Sequence, residues 1–327
     1  MSYYKLLPLV KKTGSQLSPK EFQKRINIVF HDYEADHYDK LHCDMKESLQ
    51  EQINLLVDDL FISKIETLNN LCLLDIGAGT GLSTQMLLNT KLGFQIENIT
   101  LLDTSINMLK YAEEKAKKWQ KKYSIINSDI SSLSDSFDII MICSVLHHIP
   151  ELDKFLSQVD SLLKPGGILI HLQDPNGDYL EDKIYINRIE QYNKELNSLS
   201  KKKTIKQIIP KNWKHFINRL IGRKTYIDLV NNQLLKEKVI KRRMSADEIW
   251  SVTDIRVESK LNKEEIGISF KFLKQHFRNY KLISHRSYCF FGFLKSTLTV
   301  EYVQKENNLI KKKELNGRNI SCIWVKK

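Results

Sequence analysis

Short apolar runs alternate with amphipathic segments through the middle of the chain. The runs are four to seven residues long, which is typical of buried strands. They are Leu71–Ile76, Ile99–Asp103, Tyr123–Ile126, Phe137–Cys143 and Gly167–Leu172. The segments between them interleave charged and apolar residues, as amphipathic helices do. This alternation predicts βαβ units, a parallel sheet and helices that cover both of its faces.

Helical patterns flank this central region. Residues 20–69 interleave charged and apolar positions and predict helices ahead of the first strand. After the fifth strand, five apolar residues recur at i, i+3, i+4, i+7 and i+8 and predict a helix that ends at Gly222. They are Trp213, Phe216, Ile217, Leu220 and Ile221. Two further helices are predicted over 226–243 and 265–277, and two further strands over 280–287 and 319–325.

These patterns predict one α/β sheet domain that carries a helical insertion, not two independent domains. We divide the chain into an N-terminal helical segment (1–69), a central sheet core (70–175), a basic helical insertion (176–250) and the residues that complete the sheet (251–327). The strands in the core and in the last part add up to a seven-stranded sheet.

Composition excludes several classes of protein. The 327 residues are 42% hydrophobic and 28% charged, which is enough for a sizeable core. The five cysteines form no CxxC pair, so neither a zinc finger nor a thioredoxin motif is present, and no metal site is predicted. No apolar stretch approaches the ~18 residues of a membrane span, and the N-terminus does not have the pattern of a signal peptide. We therefore expect a soluble protein in the reducing cytoplasm.

Charge is distributed unevenly along the chain. Residues 1–177 hold 18 basic and 23 acidic residues, whereas residues 178–327 hold 33 basic and 16 acidic residues. Within the second half, residues 201–243 hold 14 basic and 2 acidic residues. This basic stretch predicts contact with an anionic partner, and the alternative interpretation is a solvated basic face.

A glycine-rich turn, GAGTG at 77–81, follows the first strand. It lets a ligand approach the backbone closely, at the N–H groups that begin the next helix. Its G-x-G-x-G spacing differs from the G-x-G-x-x-G of dinucleotide-binding folds. Asp75 precedes the turn and would attract a cationic amine. Asp103 ends the second strand, where a carboxylate can accept hydrogen bonds from a ribose diol, and Asp129 follows the third strand, where it can accept from an adenine amino group.

Five motifs stand in order around these residues: LDIGAGTG at 74–81, LLDTS at 101–105, NSDI at 127–130, FDIIMICSVLHHIP at 137–150 and LKPGG at 163–167. On these motifs, which cover about 71–175, the chain resembles the class I S-adenosylmethionine-dependent methyltransferases. The segment AxxYD at 35–39 is similar to one in members that act on small molecules. The resemblance implies a doubly wound Rossmann-like sheet in the order 3-2-1-4-5-7-6, with S-adenosyl-L-methionine as cofactor.

The resemblance also implies a set of cofactor-binding residues. The two glycines of the turn would line the methionine moiety, and the carboxylates would hold the ribose and the adenine. Two apolar side chains would enclose the base, a serine would lie near the sulfonium, and a tyrosine from the N-terminal helices would cover the cofactor. The full predicted set is Tyr38, Asp75, Gly77, Ala78, Gly79, Asp103, Thr104, Met108, Asp129, Ile130 and Ser144.

Two histidines follow the fourth strand, where the methyl group lies in this family. An acceptor hydroxyl must lose its proton, and histidine suits that task because its ordinary pKa is about 6.5. His148 is therefore the candidate base, with His147 second. The alternative is that both imidazoles only bond to nearby backbone. His31, Tyr33, His171 and Asp174 are further candidates for the pocket wall.

We therefore predict an enzyme that transfers a methyl group from S-adenosylmethionine to O, N or C of a small biosynthetic intermediate. The insertion would cover the acceptor as a lid, with Trp213, Phe216, Tyr226 and Trp250 among its aromatics, and its charge would suit an anionic or carrier-bound acceptor. One alternative is an RNA methyltransferase that uses residues 201–243 to bind phosphates. Another is a cofactor-binding interaction protein without turnover, docked on a membrane or an acidic partner.

Overall fold

A computed structural model of the chain describes residues 3–41, 45–63, 69–179, 182–200 and 226–327. The helix predicted around Trp213–Ile221 and most of the basic stretch lie outside these residues. The strands are β1 (Leu71–Ile76), β2 (Ile96–Asp103), β3 (Lys122–Asn127), β4 (Phe137–Cys143), β5 (Leu163–Pro175), β6 (Tyr280–Tyr288) and β7 (Asn319–Lys326).

The strands form one seven-stranded sheet in the order β3-β2-β1-β4-β5-β7-β6. Strands β1 to β5 pair in parallel, and β7 pairs antiparallel with both β5 and β6. The fold class and the strand order predicted from the sequence are confirmed. All five parallel strands therefore end at the same edge of the sheet, which is where ligands bind in open α/β sheets.

Helices cover both faces of the sheet. The N-terminal helices are α1 (Leu7–Thr13), α2 (Pro19–Glu34), α3 (Tyr38–Leu41) and α4 (Met45–Ile62). Those between the parallel strands are α5 (Leu82–Leu88), α6 (Lys91–Gln95), α7 (Ile106–Ala116) and α8 (Leu152–Leu162). Those after β5 are α9 (Lys183–Ser200), α10 (Tyr226–Lys236), α11 (Ala246–Thr253), α12 (Phe270–His276) and α13 (Val300–Lys311). No helix in the described ranges combines the length and the apolarity that a membrane crossing requires.

Neighbouring residues of the strands belong to different cores. Leu73 of β1 packs in one cluster with residues of α4, α5 and α7, whereas Leu74 packs in another with residues of α8 and α12. This alternation follows from the two-residue period of a strand, which sends successive side chains to opposite faces. Because both faces are covered, the strands are nearly continuous in apolar residues, as their sequence indicated.

A third core joins the N-terminal helices to the described part of the insertion and to the residues just after it. Phe22, Ile26 and Phe30 of α2 pack with Leu234 of α10 and Ile249 of α11. Helix α2 begins with a capping box, in which Ser18 accepts from the Glu21 N–H and Glu21 accepts from the Ser18 N–H. The N-terminal segment and the insertion thus form one layer above the carboxyl ends of the strands.

Two predicted helices are shorter in the structure. The helix predicted over 226–243 ends at Lys236, because Lys238 turns to a left-handed φ of 58° and the Val239 N–H donates to the Leu234 carbonyl at 2.9 Å. The helix predicted over 265–277 begins at Phe270, because the Ser269 hydroxyl caps it.

Candidate active site

A cavity of ≈ 550 Å³ opens beyond the carboxyl ends of β1 to β4. Helix α2 forms one wall, the loop after β4 forms another, and the end of the insertion closes part of the mouth. Of the thirteen predicted site residues, eleven line this cavity: Tyr38, Gly77, Gly79, Asp103, Thr104, Met108, Asp129, Ile130, Ser144, His147 and His148. The structure therefore brings predicted residues from five separate segments of the chain into one space, while the LKPGG motif at 163–167 lies outside it.

The glycine turn after β1 is held by backbone hydrogen bonds. The N–H groups of Gly77 and Ala78 donate to the Leu102 carbonyl at 2.8 and 3.0 Å. Gly77 and Gly79 have φ of 68° and 54°, a region that side chains disfavour. A Cβ atom at Gly77 would lie 2.4 Å from Cγ2 of Val145, whereas one at Gly79 would meet no protein atom within 4 Å among the described residues. Gly79 therefore borders open space in the cavity.

Asp103 connects the glycine turn to the end of β2. Its Oδ2 accepts from the Gly79 N–H and its Oδ1 from the Ser105 N–H, each at 2.8 Å. Burial raises the pKa of Asp103, although these hydrogen bonds oppose the rise. Each carboxylate oxygen can accept a further hydrogen bond, so Asp103 is able to bind a diol at the cavity wall.

Asp129 is already hydrogen-bonded within the protein. Its Oδ1 accepts from the Ser131 N–H at 3.1 Å and caps the short helical turn Ile130–Ser132, while Lys24 of α2 donates to Oδ2 at 2.6 Å. The hydrogen bonds from Lys24 and Ser131 lower the pKa of this partly exposed carboxyl. Ile130 and Met108 are buried and line the same part of the cavity, where they offer an apolar surface.

Two predicted cofactor residues, Asp75 and Ala78, do not line the cavity. The Oδ2 atom of Asp75 accepts from the hydroxyls of Ser83 and Thr84 at 3.1 and 2.5 Å, which turns the side chain toward α5. Burial raises the pKa of Asp75 to about 7. Asp75 thus stabilises the junction between the glycine turn and α5, and direct contact of Asp75 or Ala78 with the cofactor stays a prediction.

The N-terminal segment is bound to the glycine turn through the residue after Tyr38. Asp39 accepts from the Thr80 hydroxyl at 2.7 Å and pairs with Lys115 at 2.8 Å. Tyr38 lines the cavity beside it. The AxxYD segment at 35–39 therefore supplies one cavity residue and one residue that holds the segment in place.

Four histidines and three carboxylates meet at the end of the cavity near β4 and β5. Asp174, at the end of β5, accepts from Nδ1 of His147 at 2.6 Å and from the His147 backbone N–H at 2.9 Å. Nε2 of His171 donates to the other Asp174 oxygen at 2.9 Å. Asp254, after α11, lies 3.4 Å from Nε2 of His147 and 3.5 Å from Nδ1 of His148. The sequence motifs predicted that His147 and His148 belong to the site, but they did not predict Asp254 as a site residue.

The remaining members of this group lie on α2 and on the segment after α11. Nδ1 of His148 donates to the Thr253 carbonyl at 2.8 Å. The His31 ring stands edge-on to the His148 ring, with centroids 5.2 Å apart, and its Nδ1 lies 3.1 Å from Glu34. The structure is compatible with a base in the pocket, because both imidazoles line the cavity. It also shows the bonds to protein groups that the alternative interpretation expected.

The two adjacent histidines have pKa values shifted in opposite directions, with that of His147 raised and that of His148 lowered. Burial opposes the charged form of His147, but the carboxylates of Asp174 and Asp254 outweigh it and raise its pKa to about 9. Burial and the adjacent His147 charge lower the pKa of His148 to about 3. Burial also opposes ionisation of Asp174, yet the hydrogen bonds from His147 and His171 hold its pKa well below the usual range.

Only some of the other sequence candidates line the cavity. His31 does, whereas His171 and Asp174 are buried behind it and do not. Tyr33 packs in the third core, near Gln233, and does not line the cavity. Of the aromatics predicted for the lid, Tyr226 and Trp250 line the cavity, while Trp213 and Phe216 lie outside the described residues.

The residues present fit S-adenosylmethionine. Open space at Gly79 receives a ligand that approaches the backbone, free acceptor capacity at Asp103 suits the ribose, and the apolar pair Met108 and Ile130 suits a flat base. Asp129 retains acceptor capacity toward an amino group although Lys24 already donates to it.

Comparisons with known proteins agree with this geometry. Residues 74–171 match a family described as a methyltransferase domain. The hybrid PKS-NRPS synthetase fsa1 of Fusarium sp. (strain FN080326) is 35% identical over 115 residues, which cover 33% of this chain and 3% of that protein. The demethylmenaquinone methyltransferase of Tropheryma whipplei (strain Twist) is 34% identical over 98 residues, which cover 30% of this chain and 39% of that protein.

The chain thus spans well under half the length of these two curated relatives. Among solved structures, an S-adenosylmethionine-dependent methyltransferase from Clostridium acetobutylicum ATCC 824 is 13% identical, with 89% of this chain and 98% of that chain covered and a TM-score of 0.45. The family match and the strand order together confirm the resemblance found in the sequence. Residues 74–171 thus carry a methyltransferase domain, and the chain is similar to the class I S-adenosylmethionine-dependent methyltransferases, whose cofactor is S-adenosylmethionine.

Proposed function

We propose that this protein transfers the methyl group of S-adenosylmethionine to a small-molecule acceptor. The observation that carries the proposal is one cavity with two chemically different ends. The glycine turn, Asp103 and Asp129 line the part that we assign to the cofactor, and His31, His147 and His148 line the part that we assign to the acceptor, called the acceptor end below. The cofactor supplies an activated methyl group, so the protein's main contribution is to hold donor and acceptor close together and in line.

The names of the relatives support a small acceptor. One is a demethylmenaquinone methyltransferase and another is a synthetase of the hybrid PKS-NRPS type. The cavity also has the size of a small-molecule site, since such pockets commonly measure about 300–1,000 Å³. The proposal covers transfer to an O, N or C atom of the acceptor.

We assign His148, with His147 second, as the base that removes a proton from the acceptor. Both histidines line the same cavity as the predicted cofactor residues, which supports this assignment. Gln23 of α2 donates to the His148 carbonyl at 3.2 Å, and Arg256 donates through its backbone N–H to the His147 carbonyl at 3.2 Å. These bonds hold the two histidines rigidly against the cavity.

The insertion supports the proposed lid in part. Tyr226 and Trp250 line the cavity, and α10 and α11 pack on α2 through the third core. An anionic or carrier-bound acceptor stays a prediction, because residues 201–225 lie outside the described ranges. Within the described part, Arg242 pairs with Glu248 and Arg243 pairs with Asp228, so neither guanidinium is directed to the cavity.

Replacing Gly79 with alanine tests the cofactor site directly. The new methyl group meets no described protein atom within 4 Å, so it can clash only with a ligand, apart from a strain of about 1–2 kcal/mol at φ 54°. We expect S-adenosylhomocysteine to bind about tenfold more weakly, or worse, by isothermal titration calorimetry. Wild-type protein that fails to bind S-adenosylhomocysteine would contradict the proposed function itself.

Gly166 provides the matched control. It has φ of 76°, a Cβ atom there would also meet nothing within 4 Å among the described residues, and it does not line the cavity. Gly166→Ala should therefore lose similar stability and keep its affinity for S-adenosylhomocysteine. Methyl acceptors can then be sought by incubating small-molecule extracts with S-adenosylmethionine that carries a deuterated methyl group, and transfer only to macromolecules would overturn the small-molecule assignment.

A further inference from the structure

Three side chains of the metal-binding types meet at the acceptor end of the cavity. His147, His148 and Asp254 each offer one ligand atom, and these atoms all lie within 4.8 Å of one another. All three residues line the cavity. Cysteine spacing, on which the sequence-based expectation of no metal site rested, gives no information about this group, because its members are two histidines and a distant aspartate.

Their separations suit ligands that share a cation. Oδ1 of Asp254 lies 3.4 Å from Nε2 of His147 and 3.5 Å from Nδ1 of His148. Ordinary hydrogen bonds between nitrogen and oxygen are shorter, at about 2.7–3.2 Å. Ligands on a tetrahedral ion with bonds of about 2.0–2.1 Å stand roughly 3.3 Å apart, which is close to both separations.

A buried carboxylate already orients the first of these histidines. Asp174, which is 0% exposed, accepts from Nδ1 of His147 at 2.6 Å and so leaves Nε2 directed toward Asp254. His171 holds the other oxygen of Asp174 at 2.9 Å. Histidines that bind metals almost always donate their second ring nitrogen to a carboxylate, a carbonyl or water in this way, which fixes the ring and its tautomer.

The second histidine is held by a backbone carbonyl. Nδ1 of His148 lies 2.8 Å from the Thr253 carbonyl oxygen, next in sequence to Asp254. Binding of a cation at this nitrogen displaces the proton that the carbonyl now accepts, as metal binding to histidine generally does. Because the carbonyl oxygen is only 2.8 Å from Nδ1, the imidazole must also rotate away from Thr253 and toward Asp254 to make room for the cation. The cation therefore replaces one existing interaction of His148 and adds interactions for His147 and Asp254.

Charge and donor type select the kind of ion. The carboxylates of Asp174 and Asp254 lie beside two imidazoles. Their two negative charges balance the charge of a divalent cation. Imidazole nitrogens favour zinc, copper, iron and nickel over magnesium or calcium, which prefer oxygen ligands. We propose that His147, His148 and Asp254 bind a divalent first-row transition metal ion at the acceptor end of the cavity.

Three protein ligands leave a coordination position open, as in catalytic zinc sites. An acceptor hydroxyl bound there loses its proton more readily, because a bound cation lowers the pKa of a coordinated oxygen. The two histidines would then assist the acceptor through the ion and not as free bases. The site stands on its own geometry and does not depend on the proposed methyl transfer.

Metal titration of the full chain tests the site. Protein stripped with a chelator is titrated with Zn²⁺ and Co²⁺ by calorimetry, and the Co²⁺ form is examined by visible absorption. We expect one equivalent of either ion and the intense d–d bands of low-coordinate Co²⁺. Asp254→Asn and His148→Gln should each weaken binding at least about tenfold and change the Co²⁺ spectrum.

A matched substitution exists elsewhere in the chain. Asp153 lies 3.8 Å from Nδ1 of His276, away from this cluster, so Asp153→Asn removes a carboxylate beside a histidine and should leave metal affinity unchanged. Less than stoichiometric uptake by the wild type, or equal affinity in Asp254→Asn, overturns the proposal.

Titration of the same samples with S-adenosylhomocysteine separates the two proposals. Cofactor binding without metal uptake refutes the metal site alone. Metal uptake without cofactor binding refutes the proposed function alone.

Discussion

Replacing Asp174 with alanine should lower the free energy of unfolding by about 3–5 kcal/mol. The carboxylate is fully buried and accepts three hydrogen bonds, two from His147 and one from His171. Alanine leaves those N–H groups buried without a partner, and each buried unsatisfied group costs about 1–3 kcal/mol. Urea denaturation followed by circular dichroism measures the change.

Two further variants make the Asp174 result interpretable. Asp174→Asn keeps one acceptor oxygen and should fall between the wild type and the alanine variant. Asp135 is exposed on the surface, and Asp135→Ala should change the stability by no more than about 0.5 kcal/mol. A loss below about 1 kcal/mol in Asp174→Ala would show that the group at the end of β5 contributes little to the fold.

Replacing Asp103 with alanine should weaken binding of S-adenosylhomocysteine by about 1.5–3 kcal/mol, or roughly 10- to 150-fold. The substitution removes the acceptor proposed for the ribose and also releases the Gly79 and Ser105 N–H groups, each of which now donates to Asp103 at 2.8 Å. Both losses act on the same end of the cavity. Isothermal titration calorimetry at constant salt gives the affinity.

Comparison with Asp129 controls for the general loss of a carboxylate. Asp129 is 41% exposed and already accepts from Lys24, so Asp129→Ala should weaken binding less than Asp103→Ala does. Equal effects at the two positions would contradict the unequal roles assigned to them, and an unchanged affinity in Asp103→Ala would remove the ribose assignment.

The cofactor part of the cavity was largely predictable, because its residues stand in short motifs at the ends of strands. Gly79, Asp103 and Asp129 each stand at or just after the end of a strand of the parallel sheet, and parallel strands end at a common edge. The direction of a side chain was not predictable in this way. Asp75 stands beside the glycine turn in sequence, yet Ser83 and Thr84 of α5 turn it away from the cavity.

Helix α13, Val300–Lys311, shows another limit of pattern analysis. Tyr302, Glu306 and Ile310 of this helix are buried at a spacing of four residues, but one of the three is a glutamate, and no helix was predicted there. Glu306 accepts from the N–H groups of Cys289 and Phe290, a tertiary contact that explains a buried charge on an otherwise polar helix. Burial raises the pKa of Glu306 to about 7.

The sequence by itself determined the sheet, its strand order through the family resemblance, and the residues at the ends of the strands, because each of these depends on local periodicity or on short motifs. Only the tertiary structure decided how the acceptor end is built. His147 and Asp254 are 107 positions apart, and they meet because α10 and α11 pack on α2 above the sheet. Such contacts arise from the packing of apolar faces between distant segments, and no spacing within either segment records them.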